Sequence, residues 1–273
     1  MLKLFTAQNS ICTQKVFLTM IEKGLDWDSQ YVDLFNNEQY DPEYLKLNPK
    51  GVVPTLIHDG RAVIESTLIC EYLDETFPDP RLVPDTPYDR SRMRIWSKHI
   101  DEGVFAATRE ISFSAMFRDK MKSMTEAQRD GRYRNIGDPD RRARMLSTYQ
   151  EGAQSPYVEQ GVFAYERMFR EMEADLAAGQ DWLVGRHFSL ADINVIPFAA
   201  RLDFLDLLDV WIAERPHVQA WWKRAKARPS YHAAIAGRLA PEQEAVMKSS
   251  GGKIKGLIAG WRDNILAASA GRP

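Results

Sequence analysis

Strand-like and helix-like patterns of apolar residues alternate at the beginning of the chain. Residues 2–6, LKLFT, predict a strand, and residues 13–23 carry apolar side chains at helical spacing. Gly24 follows, where a helix ends in left-handed geometry, and residues 30–34, QYVDL, predict a second strand. This order predicts a parallel pair of strands joined by a crossover helix.

A hairpin pattern follows a polar loop. Asp59-Gly60 lies between two β-rich runs and predicts a tight turn between antiparallel strands. The next segment, 66–76, is predicted to form a helix with four residues on its apolar side: Leu68, Ile69, Tyr72 and Leu73. The order β-α-β and then β-β-α predicts a thioredoxin-like α/β domain.

Helical patterns dominate the rest of the chain. Residues 78–87 contain four prolines and indicate a linker. Beyond it, helices are predicted around 89–117, 160–178, 190–209 and 216–228, whereas the polar stretch 118–157 is predicted to be a loop or frayed helices on the surface. The C-terminal domain is therefore predicted to be an all-α helical bundle.

The predicted organisation has four parts. They are a thioredoxin-like domain over 1–78, a linker over 79–88, an all-helical domain over 89–240 and a tail over 241–273. In the tail, apolar residues share one helical face after a Ser-Ser-Gly-Gly break, and we expect that face to pack onto the body of the protein.

Composition narrows the class of partner. The net charge is −2, with 44% hydrophobic and 27% charged residues, so a nucleic-acid or membrane partner is not expected. No apolar run is long enough for a transmembrane helix, and no signal peptide is recognisable, so we expect a cytoplasmic protein. Two cysteines, Cys12 and Cys70, and scattered histidines give no disulfide scaffold and no metal site.

The segment between the first strand and the first helix has the chemistry of an anion site. Amides at a helix N-terminus carry partial positive charge, and a hydroxyl from Ser10 or Thr13 can donate a hydrogen bond to a bound thiolate. One such bond, at about 1.5–3 kcal/mol, lowers a thiol pKa by an amount useful for catalysis. Cys12 in the same place would itself become nucleophilic.

Two further features point to a bound peptide. A cis bond between Val53 and Pro54 would leave the Val53 backbone groups able to pair with an extended cysteinyl peptide as an added strand. Ser66 and the amides at its helix start suit a carboxylate, and Glu65 suits an ammonium group. An amino-acid head group carries both charges.

These residues resemble the glutathione transferase superfamily. Residues 47–78, LNPKGVVPTLIHDGRAVIESTLICEYLDETFP, resemble its glutathione-site signature, in which N-P-x-G-x-V-P precedes a hairpin, E-S and a helix. FSLADI, 188–193, resembles the capping motif of its helical domain. The resemblance implies that Pro54 is the cis-proline, that Glu65-Ser66 hold the γ-glutamyl end, and that Gln39 lies near the glycine end.

Different segments of the chain resemble two different subclasses of this superfamily. Ser10-Ile11-Cys12-Thr13 is similar to the S-x-C segment of zeta-class enzymes and reductive dehalogenases, in which the Ser supports the thiolate and the Cys takes part in isomerisation or disulfide exchange. EKGLDW and RMRIWSKHIDE resemble the bacterial β-etherases, and that match places Thr13 where those enzymes carry Ser. Ser10 and Thr13 both remain candidates.

The resemblance implies a glutathione-dependent enzyme, with glutathione as co-substrate, acting as a homodimer. Its thiolate would attack a hydrophobic electrophile of aromatic or β-aryl-ether type. The alternatives are a thiol–disulfide or dehalogenase-type enzyme that uses Cys12, and a non-catalytic binding module. The pocket for the second substrate is expected on the helix over 89–117, with four candidates: Trp96, Ile100, Phe105 and Phe113.

Overall fold

The computed structural model describes residues 1–7 and 9–270, and these form two compact units. Each unit is assembled from segments that are far apart in sequence. The first unit comprises Met1–Ser97, Asp181–Pro197 and Arg224–Leu239, and the second comprises Lys98–Gln180, Phe198–Lys223 and the chain from Ala240 onward.

A four-stranded sheet lies in the first unit. Its strands are β1 (Leu2–Thr6), β2 (Asp28–Tyr31), β3 (Thr55–His58) and β4 (Arg61–Ile64), in the order β2-β1-β3-β4. β1 pairs parallel with β2 and antiparallel with β3, and β3 pairs antiparallel with β4. The predicted crossover and hairpin are therefore confirmed, although β2 begins two residues before the predicted 30–34.

Helices α1 (Ile11–Glu22), α2 (Pro42–Leu47) and α3 (Ser66–Thr76) complete the N-terminal fold, and α1 packs against α3. Ile69 and Leu73 on α3 are fully buried, as predicted, but Leu68 is 57% exposed. The prediction for Leu68 was wrong because the buried face of α3 runs through Ile69, Cys70 and Leu73, and Leu68 points away from that face.

The described chain beyond α3 is mostly helical. π-helical turns over Ile100–Val104 and Phe113–Phe117 join three successive helices into one long run. The helices are α4 (Pro87–His99), α5 (Phe105–Ser112), α6 (Arg118–Lys122), α7 (Glu126–Arg134), α8 (Pro139–Glu151), α9 (Pro156–Ala177), α10 (Leu190–Phe204), α11 (Asp209–Ile212), α12 (Pro216–Lys226), α13 (Pro229–Ala234), α14 (Pro241–Gly252) and α15 (Lys255–Ala270).

The polar stretch 118–157 is ordered, so the prediction of a loop or frayed helices was wrong. It forms α6, α7 and α8, and its buried residues Met121, Tyr133 and Ile136 form a small core together with Phe113, which precedes the stretch. Thr125 caps α7 in a reciprocal capping box with Gln128. The larger apolar residues in this segment are mostly aromatic and methionine side chains, so a sparse pattern was enough to build a core.

The FSLADI segment begins α10 as predicted. The Ser189 hydroxyl accepts the Ala191 N–H at 3.2 Å, and Asp192 Oδ2 accepts the Ser189 N–H at 3.1 Å. Asp192 Oδ1 also accepts the Leu183 N–H at 3.0 Å. The fully buried Asp192 thus fixes the start of α10 and the loop before it.

The tail is packed within the second unit. α15 lies against α9 and α11, Ile258 is fully buried, and Arg262 Nε donates to Glu166 at 2.9 Å. The expected break at 249–252 is wrong, because those residues continue α14. The last three residues of the predicted tail lie outside the described chain. No helix in the described ranges is long and apolar enough to cross a membrane.

Candidate functional site

Three chain segments meet at one end of the sheet because of its register. Phe5 near the end of β1 pairs with Thr55 at the start of β3, and Thr55 pairs with Ile64 at the end of β4. The chain that leaves β1 toward α1, the Val53–Pro54 segment that enters β3, and the Glu65–Ser66 segment that leaves β4 therefore lie at the same sheet end. The predicted site residues of these three segments converge there, and Gln39 lies outside the segments.

Ser10 is the N-cap of α1. Its Oγ accepts the Thr13 N–H at 3.3 Å, and its extended backbone stands just outside the helix. A hydroxyl that accepts a backbone hydrogen still has its own hydrogen to donate. Because Ser10 is only partly buried, that hydrogen is available to an acceptor in front of the helix start, where the helix dipole favours negative charge.

The other two candidates in this segment differ in exposure. Thr13 is 1% exposed, and its Oγ1 has no hydrogen-bond partner among the described residues. Cys12 is partly exposed, whereas Cys70 is fully buried. Burial raises the pKa of the Cys70 thiol to about 11. Of the three candidates, Ser10 and Cys12 therefore reach the surface and Thr13 does not.

The Val53–Pro54 peptide bond is cis, as predicted. The carbonyl of Val52, one residue earlier, accepts hydrogen bonds from the Tyr44 hydroxyl at 2.7 Å and from Asn48 Nδ2 at 2.9 Å. Within the described part of the chain, the N–H and C=O of Val53 have no hydrogen-bond partner. Two buried side chains thus orient this segment and leave the N–H and C=O of Val53 for another strand.

Sequence reasoning missed the two side chains that hold this segment. Tyr44 and Asn48 are 6% and 1% exposed, and each also contacts Thr55 Oγ1, at 2.9 and 3.1 Å. Asn48 is part of the N-P-x-G motif and could have been found there. Tyr44 carries no signal in the sequence apart from its place on a short amphipathic helix.

Glu65 and Ser66 stand at the start of α3. Glu65 has φ 69° and ψ 108°, a conformation that L-residues rarely adopt. Such outliers cluster at binding sites, where the surrounding fold holds them in place. The Glu65 carboxylate accepts the Lys50 ammonium at 2.7 Å, so it binds a primary ammonium in this structure. Sequence reasoning did not include Lys50.

Gln39 lies on a short 3₁₀ turn, Glu38–Tyr40, and is 5% exposed. Its Oε1 is buried and has no hydrogen-bond partner among the described residues. The neighbouring Gly51 has φ +58°, and a Cβ there would lie 2.8 Å from the Tyr40 ring. The fold therefore requires glycine at this place in the N-P-x-G motif.

The four predicted pocket residues differ in exposure. Trp96, Ile100 and Phe113 are at most 9% exposed, whereas Phe105 is 39% exposed and lies 5.9 Å from the Arg109 guanidinium carbon. Ile100 and Phe113 begin the two π-helical turns. Such turns are frequent at functional sites.

The described residues contain no group of three or more His, Cys, Asp or Glu side chains placed to hold a metal ion.

Comparison with known proteins gives the family. Residues 9–76 match the glutathione S-transferase N-terminal domain, and residues 143–229 match the glutathione S-transferase C-terminal domain. The chain is 32% identical over 243 residues to the protein LigF of Sphingobium sp. strain SYK-6, covering 84% of this chain and 91% of LigF. It is 30% identical over 244 residues to a tetrachloro-p-hydroquinone reductive dehalogenase of Sphingobium chlorophenolicum, covering 85% and 94%.

A solved structure supports the same family. The crystal structure of the β-etherase LigF from the same Sphingobium strain superposes with a TM-score of 0.77 at 28% identity, covering 86% of this chain and 99% of that one. The chain belongs to the glutathione S-transferase family. It is a glutathione-dependent enzyme, and glutathione is its co-substrate.

Proposed function

We propose that this transferase uses the thiolate of glutathione to attack an electrophilic carbon of an aromatic or β-aryl-ether compound. The observation that carries the proposal is the convergence of the Ser10, Val53 and Glu65–Ser66 segments at one sheet end. The glutathione thiol first loses its proton to solvent. A carbon–sulfur bond then forms while the carbon–oxygen bond to the aryl group breaks, and the aryloxide leaves and takes up a proton.

Each part of glutathione has a proposed partner. The cysteinyl residue pairs with the backbone N–H and C=O of Val53 beside Pro54, which extends the sheet by one short strand. The γ-glutamyl carboxylate accepts hydrogen bonds from Ser66 at the start of α3, and its ammonium binds Glu65 in place of Lys50. The amide of Gln39 contacts the glycine end.

We assign thiolate stabilisation to Ser10 rather than to Thr13. The Ser10 hydroxyl is partly exposed and retains its hydrogen for donation, whereas the Thr13 side chain is 1% exposed. A hydrogen bond to a charged acceptor contributes about 1.5–3 kcal/mol, which corresponds to about one to two units of thiol pKa.

The ether-cleaving reaction is supported by the likeness to LigF, whose crystal structure is described as that of a β-etherase. The test is to incubate the enzyme and glutathione with a β-aryl ether, a haloaromatic and a small disulfide, and to identify products by mass spectrometry. We expect a glutathione thioether together with the released phenol. Turnover of the disulfide alone would contradict the proposal.

Cys12 supports a second candidate function. It is the second residue of α1, is partly exposed, and occurs in a chain 30% identical to a reductive dehalogenase. In thiol–disulfide exchange its sulfur would bond to one sulfur of a glutathione disulfide, and the other glutathione would leave as a thiolate. Replacing Cys12 with serine separates the two functions, since ether cleavage by the glutathione thiolate survives and disulfide exchange does not.

We also propose that the protein acts as a homodimer in the cytoplasm. It is expected to have no membrane partner and no nucleic-acid partner. Leu68 on α3 and Ile95 on α4 are exposed apolar side chains, at 57% and 41%, and such residues suit a subunit interface. Light scattering of the purified chain tests this, with twice the monomer mass of 31.3 kDa expected. The monomer mass would contradict it.

A further inference from the structure

A lysine is buried between the two helices whose N-termini meet at the site. Lys15 on α1 has no exposed surface, and its Nζ donates to Thr67 Oγ1 at 2.6 Å. Thr67 is the second residue of α3, directly after Ser66. Because removing an ammonium group from water is costly, a fully buried lysine at this place is not accounted for by packing alone.

Lys15 lies in the first half of α1, the half that begins at the proposed thiolate site. Side chains on a helix lean toward its N-terminus, and Lys15 follows Ser10 by five residues, an axial rise of about 7.5 Å. The contact with Thr67 places the same ammonium beside the first turn of α3. Lys15 therefore connects the first half of α1, where the thiolate is proposed to lie, with the proposed γ-glutamyl site at the start of α3.

The positive charge of Lys15 affects the buried thiol of Cys70 on α3. Burial raises the pKa of Cys70 to about 11, and the positive charge of Lys15 opposes that rise, whereas Cys12 and Glu71 add to it. Glu71 is also paired with Arg94 at 2.9 Å. The charge of Lys15 thus acts on sulfur in this part of the fold.

Other charged groups contact the second half of α1 and the residue that follows it. Lys23 forms a buried ion pair with Asp74 of α3 at 2.6 Å, and Glu22 pairs with Arg228 at 2.7 Å. Arg238 lies over the Phe17 ring at 4.0 Å. These groups belong to the second half of α1, so changing Lys15 leaves their pairing intact.

We propose that Lys15 is a positioning residue of the glutathione site: its buried ammonium ties the starts of α1 and α3 together and favours the ionised form of the glutathione sulfur. The inference rests on the proposed function. Two unit charges about 10 Å apart at an effective dielectric constant of about 20 shift each other's pKa by about one unit. Lys15→Met should therefore raise the pKa of the bound thiol by about one unit, and lower its thiolate fraction near neutral pH by up to about tenfold.

The test measures the thiol pKa in the enzyme–glutathione complex by titrating the ultraviolet absorbance of the thiolate. The variants are Lys15→Met, which removes the charge, Lys15→Arg, which keeps it, and Thr67→Val, which removes the hydrogen bond but keeps the charge. We expect the pKa to rise in Lys15→Met and to stay close to the wild-type value in the other two. All four proteins would also be compared for thermal stability, which a purely structural role would change without changing the pKa.

A folded Lys15→Met enzyme that binds glutathione with an unchanged thiol pKa overturns the proposal. If this variant does not fold, the double variant with Thr67→Val gives the same measurement, because replacing both hydrogen-bond partners with apolar groups avoids an unsatisfied buried hydroxyl. If neither neutral variant folds, Lys15 is a structural residue and the proposal is also overturned. Failure of the wild-type enzyme to bind glutathione or to lower its thiol pKa would instead refute the proposed site.

Discussion

Arg228 donates two hydrogen bonds to the carboxylate of Glu22, at 2.8 and 2.7 Å, across a separation of 206 residues in the chain. The Ser230 hydroxyl donates to the same carboxylate. This contact fixes the beginning of α13 against the end of α1, the helix that carries the proposed thiolate site at its other end. The Arg228 guanidinium also lies 3.8 Å from the centroid of the Phe188 ring.

Arg228→Met should destabilise the protein by about 2 kcal/mol, because it leaves the largely buried Glu22 without its guanidinium partner. Urea unfolding measures this loss. Arg81→Met is the matched control, since Arg81 pairs with Asp85 at 3.3 Å on the surface and such pairs contribute less than about 1 kcal/mol. Equal losses in the two variants would contradict the assignment.

Ser10→Ala should lower kcat/KM for glutathione conjugation by about 10- to 100-fold, because the thiolate loses a charge-assisted hydrogen bond. The same change removes an N-cap, worth about 1 kcal/mol of stability. Thr125→Ala is the control for that loss, because Thr125 caps α7 by the same kind of hydrogen bond at 3.3 Å. We expect it to cost similar stability and no activity.

Thr13→Val discriminates between the two hydroxyl candidates. Thr13 is buried at 1% exposure, so removal of its hydroxyl should leave conjugation close to the wild-type rate. Steady-state kinetics at saturating glutathione measures this. A loss in Thr13→Val as large as that in Ser10→Ala would transfer the proposed role to Thr13.

The two cysteines should differ in reactivity. Cys12 is partly exposed, whereas Cys70 is fully buried with its pKa raised to about 11 by burial, and only thiolates react readily with alkylating agents. Iodoacetamide should therefore modify Cys12 in the folded protein and Cys70 only after unfolding, as peptide mass spectrometry would show. Modification of Cys70 under native conditions would contradict the packing of α1 on α3.

Gly251 should tolerate no side chain. A Cβ at Gly251 in α14 would lie 1.8 Å from the Leu205 carbonyl oxygen, so Gly251→Ala should cost about 3 kcal/mol or displace the tail. Gly260→Ala in α15 meets nothing within 4 Å and should stabilise the helix by up to about 1 kcal/mol. Thermal unfolding of both variants tests whether the tail is packed.

Two glutamates should give pH dependences of opposite sign. Burial raises the pKa of Glu110 above its ordinary value of 4.5, despite Arg109 and Arg144 nearby. The folded state holds the proton of Glu110 more tightly than the unfolded state does. The protonated carboxyl therefore contributes fully to the stability of the fold below pH 4.5, and this contribution is lost as pH rises through the raised pKa. Relative to Glu110→Gln, the wild type should therefore lose stability as pH rises from 4.5 to neutrality.

Glu173 is the matched comparison. Burial acts to raise the pKa of Glu173, but hydrogen bonds from His217 and Val218 outweigh it and hold this pKa below 4.5. Its stabilisation is present above 4.5 and is lost as pH falls through the lowered pKa. Relative to Glu173→Gln, the wild type should gain stability as pH rises through that range. Equal slopes in the two comparisons would contradict these directions.

Elements with local signals could be predicted from the sequence. The Asp59–Gly60 turn and the Ser189 cap are each encoded by neighbouring residues, whereas the cis bond before Pro54 is implied by the family resemblance of residues 47–78. The sequence did not predict that α7 and α8 are well-formed helices. Their formation depends on a small core that includes Tyr133 and to which several helices contribute. No pattern of a few residues contains that information.

The candidate site divides in the same way. Val53, Glu65 and Ser66 lie in one recognisable motif, whereas the buried Lys15 contacts a residue 52 positions away. A lysine on a helix is ordinarily predicted to face solvent, so its burial becomes visible only when α1 and α3 are packed. The division of the chain at 1–78, 79–88, 89–240 and 241–273 stays a prediction.

The most direct test of the account is a crystal structure of the enzyme with bound glutathione. We expect the cysteinyl backbone to pair with Val53, the γ-glutamyl carboxylate to accept from Ser66, and the sulfur to lie within hydrogen-bond distance of Ser10 Oγ. Glutathione bound elsewhere, or with its sulfur remote from the start of α1, would contradict the proposed site.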